Sequence, residues 1–131
     1  MVAAKKRRPN PPRLAKFLER EADAVKNHWF EITEKTFGDQ HPDMGTYKVR
    51  FPKSPWRLFD HNGIDPAEHS KYVPFGTLFD PEGGELPSFL AVDATVDAGP
   101  VLVWDGINGE GFFPVAPSLD AWKKLLKKTR V

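Results

Sequence analysis

Cysteine is absent from this chain of 131 residues, which removes disulfides, thiolate nucleophiles and Cys-ligated metals together. That composition suits a reducing compartment, and the expected location is the cytoplasm. No apolar run approaches the roughly 18 residues that a membrane span needs, so no membrane partner is expected. The opening MVAAKKRRPNPPR is basic but lacks the apolar stretch of a signal peptide. Catalytic signatures are missing too. There is no GxSxG elbow, no GxxxxGKS phosphate loop and no HExxH pair. The length fits one domain, able to bury roughly two thirds of its unfolded surface without staples.

What is present is an uneven charge. Residues 1–13 carry Lys5, Lys6, Arg7, Arg8 and Arg13 with no acid, a charge of +5. Residues 119–131 carry Lys123, Lys124, Lys127, Lys128 and Arg130 against Asp120, a charge of +4. The whole chain is only +1, so the body between these ends carries −8. An acidic surface steers basic partners toward it and repels nucleic acid. Solubility alone is the plainer use of such charge.

Residues 1–13 read as a disordered basic arm, since Pro9, Pro11 and Pro12 block regular structure and little there is apolar. Residues 14–131 read as one domain. Leu14, Phe17, Leu18, Ala22, Val25, Trp29 and Ile32 recur at three- and four-residue spacings, which predicts one long amphipathic helix over 14–37, stopped by Gly38. Residues 46–51 (TYKVRF) alternate as a strand does. An irregular link follows, with SPWRLF making one helical turn. Strands are expected at 71–79, where Pro74 implies an edge or a bulge, and at 88–95, 101–104 and 112–116. VLVW is apolar on both faces and reads as central. Ser118 is set to cap a last helix that buries Leu119, Trp122, Leu125 and Leu126. The short turns between the strands favour antiparallel neighbours. The fold expected is therefore α+β: a curved antiparallel β-meander flanked by an N-terminal and a C-terminal helix.

Candidate chemistry is sparse. DGINGEG has Ile107 where a calcium loop needs Asp or Asn. Asp39, His41 and Asp43, or His61 and His69 with Asp65 and Glu68, supply metal ligands on paper, but in loops whose spacing fixes little. Ser118 has no base placed by any local motif. No catalytic residue, metal or cofactor is assigned. What remains is acid at the turns: Asp80, Glu82 and Glu85 in one loop, Asp93 and Asp97 around the next, Asp105 and Glu110 around the third. Alternate turns of a meander share one end of the sheet, which brings some of these groups together. Acid–base work would need one carboxyl desolvated. A negative rim for binding a protein is the simpler use.

The order FGTLFDPEGGELPSFLAVD, GPVLVWDG, FFPVAPSLDAWKKLL resembles the SUKH superfamily. That family includes the yeast Smi- and Knr-type cell-wall regulators and many bacterial immunity proteins. The likeness rests on Phe75-Gly76, on Gly83-Gly84-Glu85, on the strand from Phe89 to Asp93, on the run from Pro100 to Asp105, and on Ala116-Pro117-Ser118-Leu119, with Leu for the usual Phe. It covers residues 72–126, while residues 38–71 lack the family's usual run, with His61-Asn62-Gly63 as its remnant. The resemblance implies a SUKH-like α+β domain that neutralises a toxin, often a basic nuclease, and is not an enzyme. The seven turn acids would then be partner-binding residues on a monomer or weak dimer. A regulatory or scaffold module of the same fold is the alternative. A carboxylate- or metal-dependent hydrolase and a nucleic-acid binder using the basic ends are the readings from other classes.

Overall fold

Runs rich in β-branched and aromatic residues pair side by side in the computed structural model, which describes residues 9–32, 45–80, 82–104 and 111–127. The strands are β1 (Trp29–Ile32), β2 (Gly45–Arg50), β3 (Tyr72–Phe79), β4 (Glu85–Asp93), β5 (Val101–Trp104) and β6 (Phe112–Ala116). They lie in sequence order, and every neighbouring pair is antiparallel. The helices among the described residues are α1 (Pro12–Arg20), α2 (Ala22–Val25), α3 (Arg57–His61) and α4 (Leu119–Leu125). This is the α+β meander with a helix toward each chain end that the sequence predicts.

Side chains alternate across a strand, and β4 shows why its sequence reads as a continuous apolar run. Leu90 and Val92 pack with Leu14 and Phe17 of α1 and with Leu119 and Trp122 of α4. Phe89 and Ala91 face the other way, onto Phe59 of α3 and Ile64. Both faces are therefore covered. The covering of the second face by α3 and its flanking link has no counterpart in the sequence reading. Trp122 is the hub of the larger core. Its ring stands edge-on to Phe17, Phe30 and Phe75, with centroids 5.8, 6.0 and 5.4 Å away. Each such ring, fully buried, stabilises the fold by about 1.5–3 kcal/mol before edge-to-face gains.

The long first helix does not form. Helix α1 starts at Pro12, inside the expected arm, because proline at the first helical turn needs no N–H partner. It ends at Arg20, where Glu21 takes a φ of −121°, and α2 adds a single turn. Asn27 then adopts a φ of 65°, a left-handed conformation that asparagine tolerates. The chain turns into β1, and the Asn27 amide donates to the Val49 carbonyl at 2.8 Å. Pairing with β2 thus outweighs helical spacing for Trp29, Phe30 and Ile32. Residues 33–37 of the expected helix, its stop at Gly38, residues 1–8 of the arm and the connection 105–110 lie outside the described residues.

Strand β3 carries the irregularity that Pro74 signals. Pro74 pairs with Ala91 but Gly76 pairs with Leu90, so Phe75 is an extra residue, a β-bulge. Strand β2 reaches β3 only at Thr77, Leu78 and Phe79, so no ladder bond to β2 is asked of the proline. A Cβ on Gly76 would sit 3.2 Å from Val49 Cγ2 and 3.4 Å from Leu90 Cδ1, which explains the glycine.

Candidate protein-docking surface

The turn from β3 to β4 is built by one acid and two glycines. Asp80 Oδ1 accepts the amides of Glu82 and Gly84 at 2.8 and 3.1 Å, an Asx-type turn. Gly83 has a φ of 97°, and a Cβ on Gly84 would lie 2.8 Å from Asp80 Oδ2. Asp80 is therefore occupied with its own backbone. Glu82 and Glu85 are exposed, the latter as the first residue of β4, and neither carboxylate has a partner among the described residues.

The turn from β4 to β5 spends its acids differently. Asp93 Oδ1 accepts the Thr95 amide at 2.9 Å and also the Thr95 hydroxyl. Asp97 receives Arg13, whose Nε donates to the Asp97 carbonyl at 3.0 Å and whose Nη2 lies 3.4 Å from its carboxylate. Arg13 also lies 3.7 Å from Asp120. The Leu119 amide donates to the Ala98 carbonyl at 3.0 Å. This turn is thus tied to the starts of α1 and α4. Asp93 further borders an apolar groove of about 480 Å³ lined by Leu102, Pro114 and Leu125.

In a meander successive turns fall at opposite ends of the sheet. Strand β4 has nine residues, so Asp80, Glu82 and Glu85 lie roughly 30 Å from Asp93 and Asp97. The described acids therefore form two groups, not one rim. Asp105 and Glu110, in the connection between β5 and β6, lie outside the described residues.

That connection leaves β5 at Trp104 and returns to β6 at Phe112, two rings 5.1 Å apart and both half-buried. Tyr72 lies 4.2 Å from Phe112, and His69 lies 5.5 Å from Phe112 and 6.2 Å from Trp104. Ala91, small and buried among them, belongs to the same cluster. This aromatic platform was not named from the sequence. The signal for it was the placement of an aromatic at each end of the DGINGEG connection.

The remaining candidates do not converge. His69 packs in the aromatic platform, while His61 borders a cleft of about 120 Å³ with Arg57, Thr77 and Glu85. Among the described residues no three His, Asp or Glu side chains are placed to hold a metal ion, and His41 with its neighbours lies outside them. Ser118 is the cap it was expected to be, its Oγ accepting the Ala121 amide at 3.0 Å. No described helix is long and apolar enough to cross a membrane. On α4, burial alone would lower the Lys123 pKa, but hydrogen bonds to Glu21 and Asp120 outweigh it and raise it above the ordinary lysine value. No family model, curated protein or solved structure matches the chain.

Proposed function

We propose that the chain is a non-catalytic protein-binding domain of the immunity type, which neutralises a basic, nuclease-like toxin. The observation that carries this reading is the β3–β4 turn. Its backbone is fixed by Asp80 and two glycines, while the carboxylates of Glu82 and Glu85 stay exposed and unpaired among the described residues. The half-buried Trp104 and Phe112 lie beside the middle of β4, where Trp104 pairs with Phe89. Interface energy concentrates in a few anchors, often aromatic, and rim charges chiefly set the association rate. A nuclease is commonly basic where it holds phosphate, and a rigid acidic turn suits that groove. The residues behind the SUKH resemblance hold a bulge, a turn and a cap, so they speak to the fold. The partner class rests on charge.

The test is co-purification with the product of the neighbouring gene, followed by association kinetics at low salt. Reversing both charges, with Glu82→Lys and Glu85→Lys, is expected to slow association with a basic partner about tenfold. An unchanged on-rate would remove this turn from the interface.

A further inference from the structure

One concavity has the opposite character. Between α1, α2 and the chain leaving β2 lies a pocket of about 580 Å³, within the range of small-molecule sites. Its apolar wall is Leu18, Phe51 and Phe75, the two phenylalanine rings stacked at 13° with centroids 6.4 Å apart. Its polar rim holds Lys26, Arg50 and Lys53 against a single acid, Asp23.

The three cations differ in how they are compensated. Lys26 lies 3.2 Å from Asp23. Arg50 Nε donates to Asn27 Oδ1 at 2.8 Å, and its guanidinium sits 4.6 Å from the Phe79 ring centre. These contacts orient the guanidinium without neutralising it, for no described carboxylate forms an ion pair with it. Lys53 is exposed and has no partner among the described residues. The rim also includes Asn10. In a body that is otherwise acidic, positive charge is gathered over an aromatic wall.

We propose that this pocket binds a small anion with a flat apolar body, an aromatic carboxylate or phosphate monoester. The apolar part would lie against Leu18 and Phe51, the latter backed by the buried Phe75, and the anionic group would meet Arg50 and Lys53, whose charge-assisted hydrogen bonds are the stronger kind. The site shares no residue with the acidic turn, so it stands or falls apart from the docking reading.

Titration of the full chain with 2-naphthoate, 2-naphthyl phosphate and the neutral 2-naphthol, followed by calorimetry and amide chemical shifts, tests it. Both anions are expected to bind saturably with shifts at Phe51 and Arg50, and 2-naphthol at least about tenfold more weakly. Lys53→Gln, at a side chain with no bonded partner, should weaken both anions about threefold and leave the thermal midpoint unchanged. Arg50→Gln with Lys53→Gln should weaken them tenfold or so, whereas Lys16→Gln on the exposed side of α1 should not. Equal affinity for the charged and neutral probes, binding indifferent to the double substitution, or no saturation at millimolar probe would each overturn the proposal.

Discussion

At position 76 the difference between a hydrogen and a methyl group decides whether two strands can close on each other. The added carbon of Gly76→Ala would press on Val49 and on Leu90, both completely buried in a close-packed core. Overpacking of this kind costs about 1–3 kcal/mol, so urea unfolding of the alanine variant should show a lower midpoint with an unchanged slope. A wild-type midpoint would mean the strands part without penalty. Asn27 is the other residue whose conformation matters beyond its own position. Its left-handed φ turns the chain from helix to strand, and its side chain steadies Arg50. Glycine and asparagine at such points are visible in a sequence, but which of them takes the positive φ depends on what the following residues can pair with.

Elements with a strict local signature are legible in the sequence. Strand β6 runs over the residues foreseen for it, and α4 begins beside the cap that Ser118 provides. The acidic turn at Asp80 was legible as a turn, through its Pro and Gly residues, but not as a structure that uses one acid and displays two. The error over 14–37 has a physical cause. Leu18, Ala22, Val25, Trp29 and Ile32 keep helical spacing across a point where the chain changes to strand, and local periodicity does not see the distant partner β2. Helix α4 also supplies the one described titration with a sign. Lys123 reaches Glu21 beyond α1 at 3.0 Å and Asp120 at 3.2 Å, so its folded-state pKa is raised. A raised lysine pKa stabilises the fold fully below the unfolded value of about 10.4, and the gain is lost as pH rises through the higher folded value. Lys123→Met should therefore cost at most about 1 kcal/mol at neutral pH, and the gap from wild type should narrow in urea titrations carried above that range. A gap that stays constant into strong alkali would assign the loss to packing.

Taken whole, the molecule is a sheet covered on both faces, which leaves its two outer strands to be managed. Strand β6 carries Pro114, which offers no amide to a stray strand. Strand β1 is met by the chain beyond α4, where the amides and carbonyls of Trp29 and Lys127 exchange hydrogen bonds of 2.8 and 2.7 Å. Ending the chain after Leu126 removes both, an expected cost of about 1–3 kcal/mol, and should speed hydrogen exchange at the Trp29 amide. Unaltered exchange there would show that the tail contributes nothing to the edge. The bulge at Phe75 has the widest reach. Val73 and Leu78 both enter the larger core although five positions separate them, an odd interval that unbroken alternation would send to opposite sides. One surplus residue restores the parity. Loss of the surplus residue alone would leave Val73 and Leu78 four positions apart, an even interval that plain alternation keeps on one side, whereas a residue lost or gained with the bulge kept would exchange inside for outside downstream. A single deletion in β3 is therefore accommodated by erasing the bulge, while a single insertion needs a second one to keep the Asp80 hairpin right side out.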